Sequence, residues 1–477
     1  MAKFNTTTTN RTVNKSGHAA YKMTDKEKLV TQVLTSFFNE KKFYGDNTND
    51  MKATIQRVVK NDPEFVAKLA VFARRVFNMR SVSHVLTAYL AHEVEGKPYT
   101  REVVKAVSLR GDDVTEIMAA YLSMFGKPIP NALKKGVGDV LKRFDEYTLA
   151  KYKGAGKAVK MRDLLCLCRP KPMNAEQSAS WKLLLEDKLE TPYTWETELS
   201  AKGNNAKTWE ALIGSGKVGY MATLRNLRNI LIANPSNVRK ALDLIENPEA
   251  VKRSKQLPFR YLSAYREVAN HGSRVLDVLE NAADAACENV PKLAGTTVIA
   301  VDTSGSMSDR VSANSNVRCV EIAMLLGLIA NRVCENSYFY TFNNSIGQYP
   351  VSKRTAILQT AMSASAGGGT SMYLPFEKMM KDGVKADRII ILSDNECNSG
   401  GGWYSRDPVQ VLADKYRKQT GNDIWVHAID LQGYGTQQFY GRKTNVIAGW
   451  SEKVFDFIKL AEQGEGTLVD TISAYMY

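Results

Sequence analysis

The chain has 477 residues, of which 44% are hydrophobic and six are cysteine, and its formal net charge is +14. This length exceeds what one hydrophobic core usually organises, so we expect two domains. Six cysteines are too few for a disulfide scaffold, and the CxC spacing of Cys166 and Cys168 does not fit a zinc knuckle, which indicates reduced thiols in the cytoplasm. The positive charge favours a polyanionic partner, because neutralising phosphates releases their counterions; solubility alone is the competing explanation.

The first 20 residues form a polar segment ahead of a long helical region. Residues 1–20 are rich in Thr and Asn without a hydrophobic period, so they predict a tail or extended strap, with no secretion signal. No apolar run in the chain is long enough to span a bilayer, which excludes a membrane protein. From 21 to 292, apolar residues recur three and four positions apart, as in Leu29, Val33 and Phe37. Pro and Gly beside capping residues divide this region into about a dozen or more short helices, which predicts an irregular helical-repeat array with a concave surface suited to a polymer.

From 293 to 477 short apolar strands alternate with helices. Strands are predicted at 296–301, 338–342, 388–392 and 424–429, and helices at 317–334, 374–380, 408–418 and 452–461. This alternation implies right-handed crossovers and a parallel sheet that is covered on both faces. Ligands of such sheets bind outside the carboxyl ends of the strands.

Acid and hydroxyl side chains cluster at that edge of the predicted sheet. The sequence DTSGS begins at the end of the first strand, a second acid follows the strand IIILS, and the glycine-rich GGGT at 367–370 adds a third hydroxyl. Small oxygen ligands suit a hard cation, so we predict Mg²⁺, with Mn²⁺ or Ca²⁺ as alternatives, and one position open for an incoming oxygen. A helix-capping loop is the competing interpretation of DxSxS. The predicted ligands are Asp302, Ser304, Ser306, Thr370 and Asp394.

Catalysis at this edge is the weaker interpretation. Hydrolysis would need a positioned base and a second group that stabilises charge. His427 is the only histidine after residue 293, and it is predicted to lie inside a strand. Glu396 is the better candidate base, but a loop carboxylate beside a metal more often orders the ligands. We therefore predict a binding protein and not an enzyme.

Several groups of cationic residues punctuate the helical region. Each group alone is more often a solvated helix face. Several groups on one concave wall would track a nucleic-acid backbone without reading its bases. We therefore treat them as candidate RNA-binding residues. They are Arg74, Arg75 and Arg80; Lys134 and Lys135; Lys157, Lys160 and Arg162; and Arg225 and Arg228, of which the last two are predicted on one helix.

Four segments carry a family resemblance. The order DxSxS, Thr, Asp resembles the metal-ion-dependent adhesion site of von Willebrand factor A domains. RDLLCLCRPKP at 162–172 and TWEALIGSGKVGYMATLRNLRNI at 208–230 are similar to segments of the Ro autoantigen family, the TROVE-module proteins. NKSGHAAYKMT, from Asn14, resembles the strap that precedes the helices in that family. In family order, these segments cover nearly the whole chain.

The resemblance implies a monomeric ring of HEAT-like helical pairs, closed by an α/β von Willebrand A domain. Single-stranded ends of misfolded noncoding RNA would enter a basic central hole, and Y-like small RNA would bind outside it. It also implies RNA quality control or processing with a partner ribonuclease, and capture of a protein partner's acid at the metal. Cys166 stands where the family has an arginine that contacts RNA, and a thiol cannot replace a guanidinium on phosphate; we interpret Cys166 as a small buried hydrophobe. A metal-dependent protein scaffold that binds no RNA is the alternative function.

Overall fold

The computed structural model describes eleven stretches of the chain and divides it into two compact units. The sheet unit has the bounds Met1–Asn39 and Leu242–Val469, and the helical unit has the bounds Glu40–Ala241 and Asp470–Tyr477. The helical segment 242–292, which the sequence assigns to the helical domain, is therefore part of the sheet unit. The described stretches are 11–14, 18–35, 49–154, 156–256, 258–311, 316–398, 408–433, 436–441, 443–448, 453–463 and 467–477.

Short helices dominate the chain before residue 287. The prediction of a region of many short helices is confirmed. In the described stretches they are α1 (Asp25–Thr35), α2 (Asn49–Asn61), α3 (Pro63–Arg75), α4 (Ser81–His92), α5 (Lys97–Val107), α6 (Asp113–Phe125), α7 (Asn131–Leu141), α8 (Glu146–Lys151), α9 (Met161–Cys168), α10 (Ala175–Leu185), α11 (Trp195–Lys202), α12 (Ala206–Gly214), α13 (Tyr220–Arg225), α14 (Leu227–Ala233), α15 (Val238–Glu246), α16 (Pro248–Ser254), α17 (Pro258–Glu267) and α18 (Ser273–Ala286).

Caps and apolar stripes explain why these segments are helical. At the start of α3 the Asp62 carboxylate accepts the Phe65 N–H at 3.0 Å, and Pro63 supplies a first residue that needs no N–H partner. On α7 the side chains of Leu133, Val137 and Leu141 are fully buried, as their spacing predicts. In the helical unit, α3 packs on α4, α4 on α6, and α5 on α7. The unit is therefore built from neighbouring helix pairs, as a helical-repeat array requires.

The elements of the remaining chain alternate as predicted. The strands of the whole chain are β1 (Arg11–Val13), β2 (Ala19–Lys22), β3 (Leu293–Asp302), β4 (Cys334–Phe342), β5 (Ile346–Gln348), β6 (Arg388–Ser393), β7 (Trp425–Asp430), β8 (Thr436–Gln437) and β9 (Thr444–Ala448). The later helices are α19 (Cys319–Val333), α20 (Ile357–Met362), α21 (Leu374–Lys381), α22 (Pro408–Thr420), α23 (Lys453–Glu462) and α24 (Leu468–Ala474). No helix in the described stretches is long and apolar enough to cross a membrane.

A six-stranded sheet forms the centre of the sheet unit, in the order β5-β4-β3-β6-β7-β9. Its pairs are parallel except that β5 runs antiparallel to β4 at one edge. Every residue of β6 is buried, because helices cover both faces of a parallel sheet. The predicted parallel sheet is thus confirmed for the four predicted strands β3, β4, β6 and β7. β9 adds a fifth parallel strand, and β5 and α20 are further additions.

The described part of the N-terminal strap forms a hairpin in the sheet unit. β1 and β2 pair antiparallel, and β2 continues onto β8, with Tyr21 opposite Gln437. Residues 1–10 and 15–17 of the predicted strap lie outside the described residues.

Glu280 shows why the segment 242–292 belongs to the sheet unit. From α18 its carboxylate accepts the first three N–H groups of α20, those of Ile357 at 3.0 Å, Leu358 at 3.1 Å and Gln359 at 2.7 Å. A helix N-terminus attracts negative charge, so this contact caps α20. Burial nevertheless raises the pKa of Glu280.

Candidate cation site and cationic surface

The carboxyl ends of β3 and β6, where the predicted ligands Asp302 and Asp394 are located, lie side by side at one edge of the sheet. Val301 is paired with Leu392, so Asp302 lies next to Ser393, whose hydroxyl donates to Asp302 Oδ2 at 2.6 Å. Asp302 Oδ1 accepts the Ser304 N–H at 2.8 Å. Both oxygens of this buried carboxylate are therefore occupied by protein donors.

The DxSxS loop and the glycine-rich loop are joined by their backbones. The hydroxyls of Ser304 and Ser306 lie 3.3 Å apart, on a turn that continues as a 3-10 helix over Gly305–Ser308. Gly305 N–H donates to the Gly368 carbonyl at 2.9 Å. The structure thus brings the loops that carry the three predicted hydroxyl ligands, Ser304, Ser306 and Thr370, to one edge of the sheet, where Thr370 is buried.

Asparagine side chains hold the glycine-rich loop, and the sequence analysis missed them. Asn344 Oδ1 accepts the Gly369 N–H at 2.8 Å, and Asn398 Oδ1 accepts the Thr370 N–H at 2.6 Å. In return Asn398 N–H donates to the Thr370 carbonyl at 3.1 Å. Two further loops therefore fix the position of Thr370.

We expect Gly369→Ala to displace Thr370. An added Cβ would lie 2.6 Å from Asn344 Oδ1 and 2.9 Å from Asn398 Oδ1, the atoms that hold this loop. The substitution should destabilise the sheet unit by about 1–3 kcal/mol, the usual range for overpacking. Urea unfolding would show this loss as a lower midpoint concentration. Gly367→Ala is the control, since a Cβ at Gly367 meets nothing within 4 Å; equal effects of both substitutions would contradict the prediction.

Three buried acids converge on this edge, one more than predicted. Burial raises the pKa of Asp394, and burial followed by the charge of Asp394 raises that of Asp302. Asp430, at the end of β7, pairs in register with Ser393. Burial raises the pKa of Asp430 to about 7, with further contributions from the charges of Asp394 and Glu396. The signal that selects Asp302 and Asp394, an acid directly after a buried strand, also applies to Asp430.

The donor set fits a cation held largely by hydroxyls. Among the described residues, no three carboxylate, imidazole or thiol side chains are grouped so as to hold a metal. The Oδ2 atoms of Asp394 and Asp430 are buried and accept no hydrogen bond within the described part of the chain. Buried acid charge that lacks a cationic partner is costly, and a hard cation would neutralise it.

Neither candidate base stands free beside these acids. His427 is buried inside β7, and its Nε2 lies 3.0 Å from Glu462 Oε1. Burial lowers the pKa of His427, although Glu462 opposes the shift. Glu396 is buried too, and its Oε1 accepts the Thr436 hydroxyl at 3.4 Å. This arrangement gives both side chains structural partners.

In the helical unit, part of the first predicted cationic group is internal. Arg74 is buried, with Nη2 3.0 Å from Asp113 Oδ2, and Arg80 Nε donates to Asp113 Oδ1 at 2.5 Å. His84 Nε2 lies 3.2 Å from the same Oδ1. These contacts join α3, α4 and α6, so buried Arg74 has a structural role and its prediction as an RNA ligand is corrected, whereas Arg80 is ion-paired but half-buried. Arg75 is exposed.

The remaining predicted cations lie on the surface of the helical unit, apart from half-buried Lys134. Lys157 Nζ forms an ion pair with Glu116 at 2.6 Å. Arg225 ends α13 and Arg228 lies on α14, so they are on two helices and not on one; Asn226 separates them. The exposed predicted cations are Arg75, Lys135, Lys157, Lys160, Arg162, Arg225 and Arg228.

Cys166 also differs from its prediction. It is exposed on α9 and is not a buried hydrophobe. It follows Arg162 by four residues, which places both side chains on one helix face. Cys168 is more enclosed, and burial raises its pKa to about 12. All six cysteines are free thiols.

Comparison with known proteins gives relatives that match about half of the chain. The protein is 26% identical over 326 residues to telomerase protein component 1 of Rattus norvegicus, a match that covers 50% of this chain and 12% of that protein. It is 25% identical over 248 residues to the RNA-binding protein RO60 of Caenorhabditis elegans, covering 48% of this chain and 38% of that one. The chain thus spans well under half the length of these relatives. Their names agree with the prediction of a binding protein and not an enzyme.

A solved structure and two domain families complete the assignment. The crystal structure of the Deinococcus radiodurans RO (RSR) protein has the same fold, with a TM-score of 0.65 at 17% identity over 93% of this chain and 100% of that chain. The Ro60 vWA domain family matches residues 296–437, and the TROVE domain family matches residues 12–187 and 185–337. The chain therefore belongs to the TROVE family and carries a von Willebrand factor A domain of the Ro60 type.

Proposed function

We propose that the protein binds RNA in the manner of Ro proteins, taking single-stranded ends of misfolded noncoding RNA in RNA quality control or processing. A partner ribonuclease would do the cutting, in a reducing cytoplasm that suits six free thiols. Family membership supports the proposal, and one structural observation carries it. Lys135, Arg162 and Arg225 are exposed on three different helices, and none forms an ion pair with a described residue.

These three cations suit a phosphate backbone. An exposed cation without a carboxylate partner gains more from a phosphate than a paired one, which must first give up its acid. A ligand that is tracked through its phosphates can have any sequence, as a quality-control factor requires. Y-like small RNA would meet one cation fewer than the family resemblance implies. On the helix face that carries Arg162, the exposed residue Cys166 stands where the family has a second cation.

We expect the combined change Lys135→Ala, Arg162→Ala and Arg225→Ala to weaken binding of single-stranded RNA uniformly across sequences. Affinity falls with salt concentration, and each lost phosphate contact makes the plot of log affinity against log salt less steep by about 0.7. The three substitutions together should therefore reduce its steepness by about 2. Filter binding at several salt concentrations measures both quantities.

The control replaces three cations that already have acidic partners. Arg101, Lys188 and Lys202 pair with Asp139, Glu186 and Glu198 at 2.6, 2.8 and 2.5 Å. Changing these three to alanine removes the same charge and should alter the slope less. The absence of RNA retention by the unaltered protein at low salt would exclude the proposal, and equal slopes in both variants would exclude these contacts.

A second function, cation-dependent capture of a protein partner, is favoured by the three buried acids. We propose that Ser304, Ser306 and Thr370 hold Mg²⁺, or Mn²⁺ or Ca²⁺, while Asp302 and Asp394 supply negative charge. A bound cation offers an electrophilic position that accepts a carboxylate from a partner, such as the ribonuclease. The chain's own residues position the ion and need perform no chemistry.

We expect Asp302→Ala to abolish the rise in unfolding temperature that Mg²⁺ or Mn²⁺ causes in the unaltered protein. A ligand that binds only the folded state at 100 times its dissociation constant adds about 2.7 kcal/mol, which a thermal melt resolves. Asp414→Ala, on an exposed face of α22, is the control. RNA binding should survive both chelator and Asp302→Ala. Loss of RNA binding with chelator would contradict the proposal that the RNA site and the cation site are independent.

A further inference from the structure

The N-terminal hairpin reaches the loop that follows Asp394. Asn14 is buried, and its Nδ2 donates to the Cys397 carbonyl at 2.8 Å, across 383 residues of sequence. Its Oδ1 accepts the His18 N–H at 2.8 Å, and its own N–H donates to the His18 carbonyl at 2.8 Å. The Asn14 amide thus closes the hairpin and holds the loop with the same side chain.

That loop is bonded in turn to the glycine-rich loop. Cys397 Sγ donates to the Thr370 carbonyl at 3.3 Å, from a thiol that is buried. Asn398 exchanges hydrogen bonds with both backbone groups of Thr370, as described above. A displacement of the Cys397 backbone would therefore move Thr370.

The hairpin also reaches the Asp394 side of this loop, through β8. β2 pairs with β8, and the Tyr21 ring lies 4.2 Å from the Tyr440 ring, centroid to centroid. Next to β8, Gln438 Nε2 donates to the Asn395 carbonyl at 3.2 Å. The hairpin is thus linked to both ends of the segment Asp394–Asn398.

We propose that Asn14 is a positioning residue of the cation site, and that docking of the hairpin sets the positions of Thr370 and Asp394. The inference rests on the cation binding proposed above, because it assigns a function to that geometry. Loss of a buried amide donor leaves the Cys397 carbonyl unsatisfied, which permits the loop to shift. A site that depends on an element from the other end of the chain binds its ion tightly only when that element is docked.

The test compares Asn14→Ala with His18→Ala in the full chain. His18 is exposed and contributes only backbone groups to the hairpin, so its substitution is the matched control. We expect Asn14→Ala to weaken Mn²⁺ binding about tenfold in calorimetry, the fold-change that one buried hydrogen bond supplies. His18→Ala should bind Mn²⁺ as the unaltered protein does.

Hydrogen exchange without metal provides the second measurement. Asn14→Ala should accelerate exchange of the amides at 368–371 and 394–398, while β3 and β6 stay protected. Unchanged exchange at these loops would overturn the proposal, and so would acceleration spread evenly over the sheet unit, which would show general destabilisation. If Asn14→Ala does not fold, Tyr21→Leu weakens the same docking through the Tyr440 contact and should produce the same local pattern, or overturn the proposal by failing to.

The two measurements separate this proposal from the cation site itself. If the unaltered protein binds no Mn²⁺ but Asn14→Ala still accelerates exchange at both loops, the hairpin positions the loops and the cation function fails. If Mn²⁺ binds equally well to both variants and exchange is unchanged, the cation function stands and the positioning role fails.

Discussion

Asp113→Ala is expected to destabilise the helical unit by about 3–5 kcal/mol, the cost of removing one partner from a buried ion pair. The substitution leaves Arg74 buried without its carboxylate and removes a partner from Arg80 and His84. Burial alone would raise the pKa of Asp113, but hydrogen bonds and charges from His84, Arg74 and Arg80 hold that pKa well below its usual range. Their combined attraction thus exceeds the cost of burying the carboxylate.

The measurement should resolve the helical unit, since a chain with two units need not unfold in one step. Hydrogen exchange of α3, α4 and α6 in Asp113→Ala should increase most. Asp113→Asn keeps the shape of the side chain and loses its charge. Its exchange rates in these helices should lie between those of Asp113→Ala and of the unaltered protein.

The control for Asp113 is another aspartate on a helix of the same unit. Asp139 accepts Arg101 Nε at 2.6 Å, but that guanidinium is exposed and screened by water. We expect Asp139→Ala to leave the unfolding midpoint nearly unchanged. Similar losses at Asp113 and Asp139 would show that burial does not determine the strength of these pairs.

Asp430→Asn is expected to stabilise the sheet unit in the presence of chelator, by several degrees in unfolding temperature at pH 8. The asparagine keeps an Oδ1 acceptor for the Gln432 and Gly433 N–H groups, which Asp430 now accepts at 2.9 and 2.8 Å. It removes a buried charge that lies near those of Asp394 and Glu396. One pKa unit corresponds to about 1.4 kcal/mol, so a pKa of about 7 means that ionised Asp430 substantially destabilises the folded state.

The sign of the pH dependence follows from the raised pKa of Asp430. An ordinary aspartate titrates near pH 4 when the chain is unfolded, so from about pH 4 to 7 the folded state holds a proton that the unfolded state has lost. Stability from this group therefore falls as pH rises through that window. The advantage of Asp430→Asn should be full above pH 7 and vanish towards pH 4.

Thermal melts at pH 5, 6, 7 and 8 with chelator would measure this advantage. Asp414→Asn, an exposed acid on α22, should show no such trend. An advantage that does not vary with pH would mean that the charge of Asp430 is not its cause. A saturating divalent cation should reduce the advantage, since it neutralises the same edge.

The strands and helices of the sheet unit are predictable to within a few residues where the signal is local. β3 and β6 contain β-branched runs; an acid ends β3 and directly follows β6, and burial on both faces leaves a continuous apolar pattern. β5 and α20 are short and carry no such run, so their structure depends on their neighbours: β5 pairs with β4, and α20 is capped by Glu280.

Three of the proposed cation ligands are local in sequence, but the residues that support the site are not. Asp302, Ser304 and Ser306 stand within five residues, and a strand end predicts their location. Asn344 lies 25 residues from Gly369, and Asn14 lies 383 residues from Cys397. Nothing in the sequence near an asparagine shows which distant carbonyl or N–H it will meet. Arg74 was open to misinterpretation for the same reason, since its partner Asp113 is 39 residues away.

The division of the chain has a consequence for how this protein can be cut. Its two units are not consecutive: the chain passes between them after Asn39, after Ala241 and after Val469. Residues 40–241 of the helical unit therefore interrupt the sheet unit in sequence, and residues 470–477 belong to the helical unit as well. A recombinant fragment that starts at the first strand of the large sheet would lack both the hairpin and the Glu280 cap of α20. A fragment that joins residues 1–39 to residues 242–469 keeps both and would be the better choice for preparing the sheet unit alone.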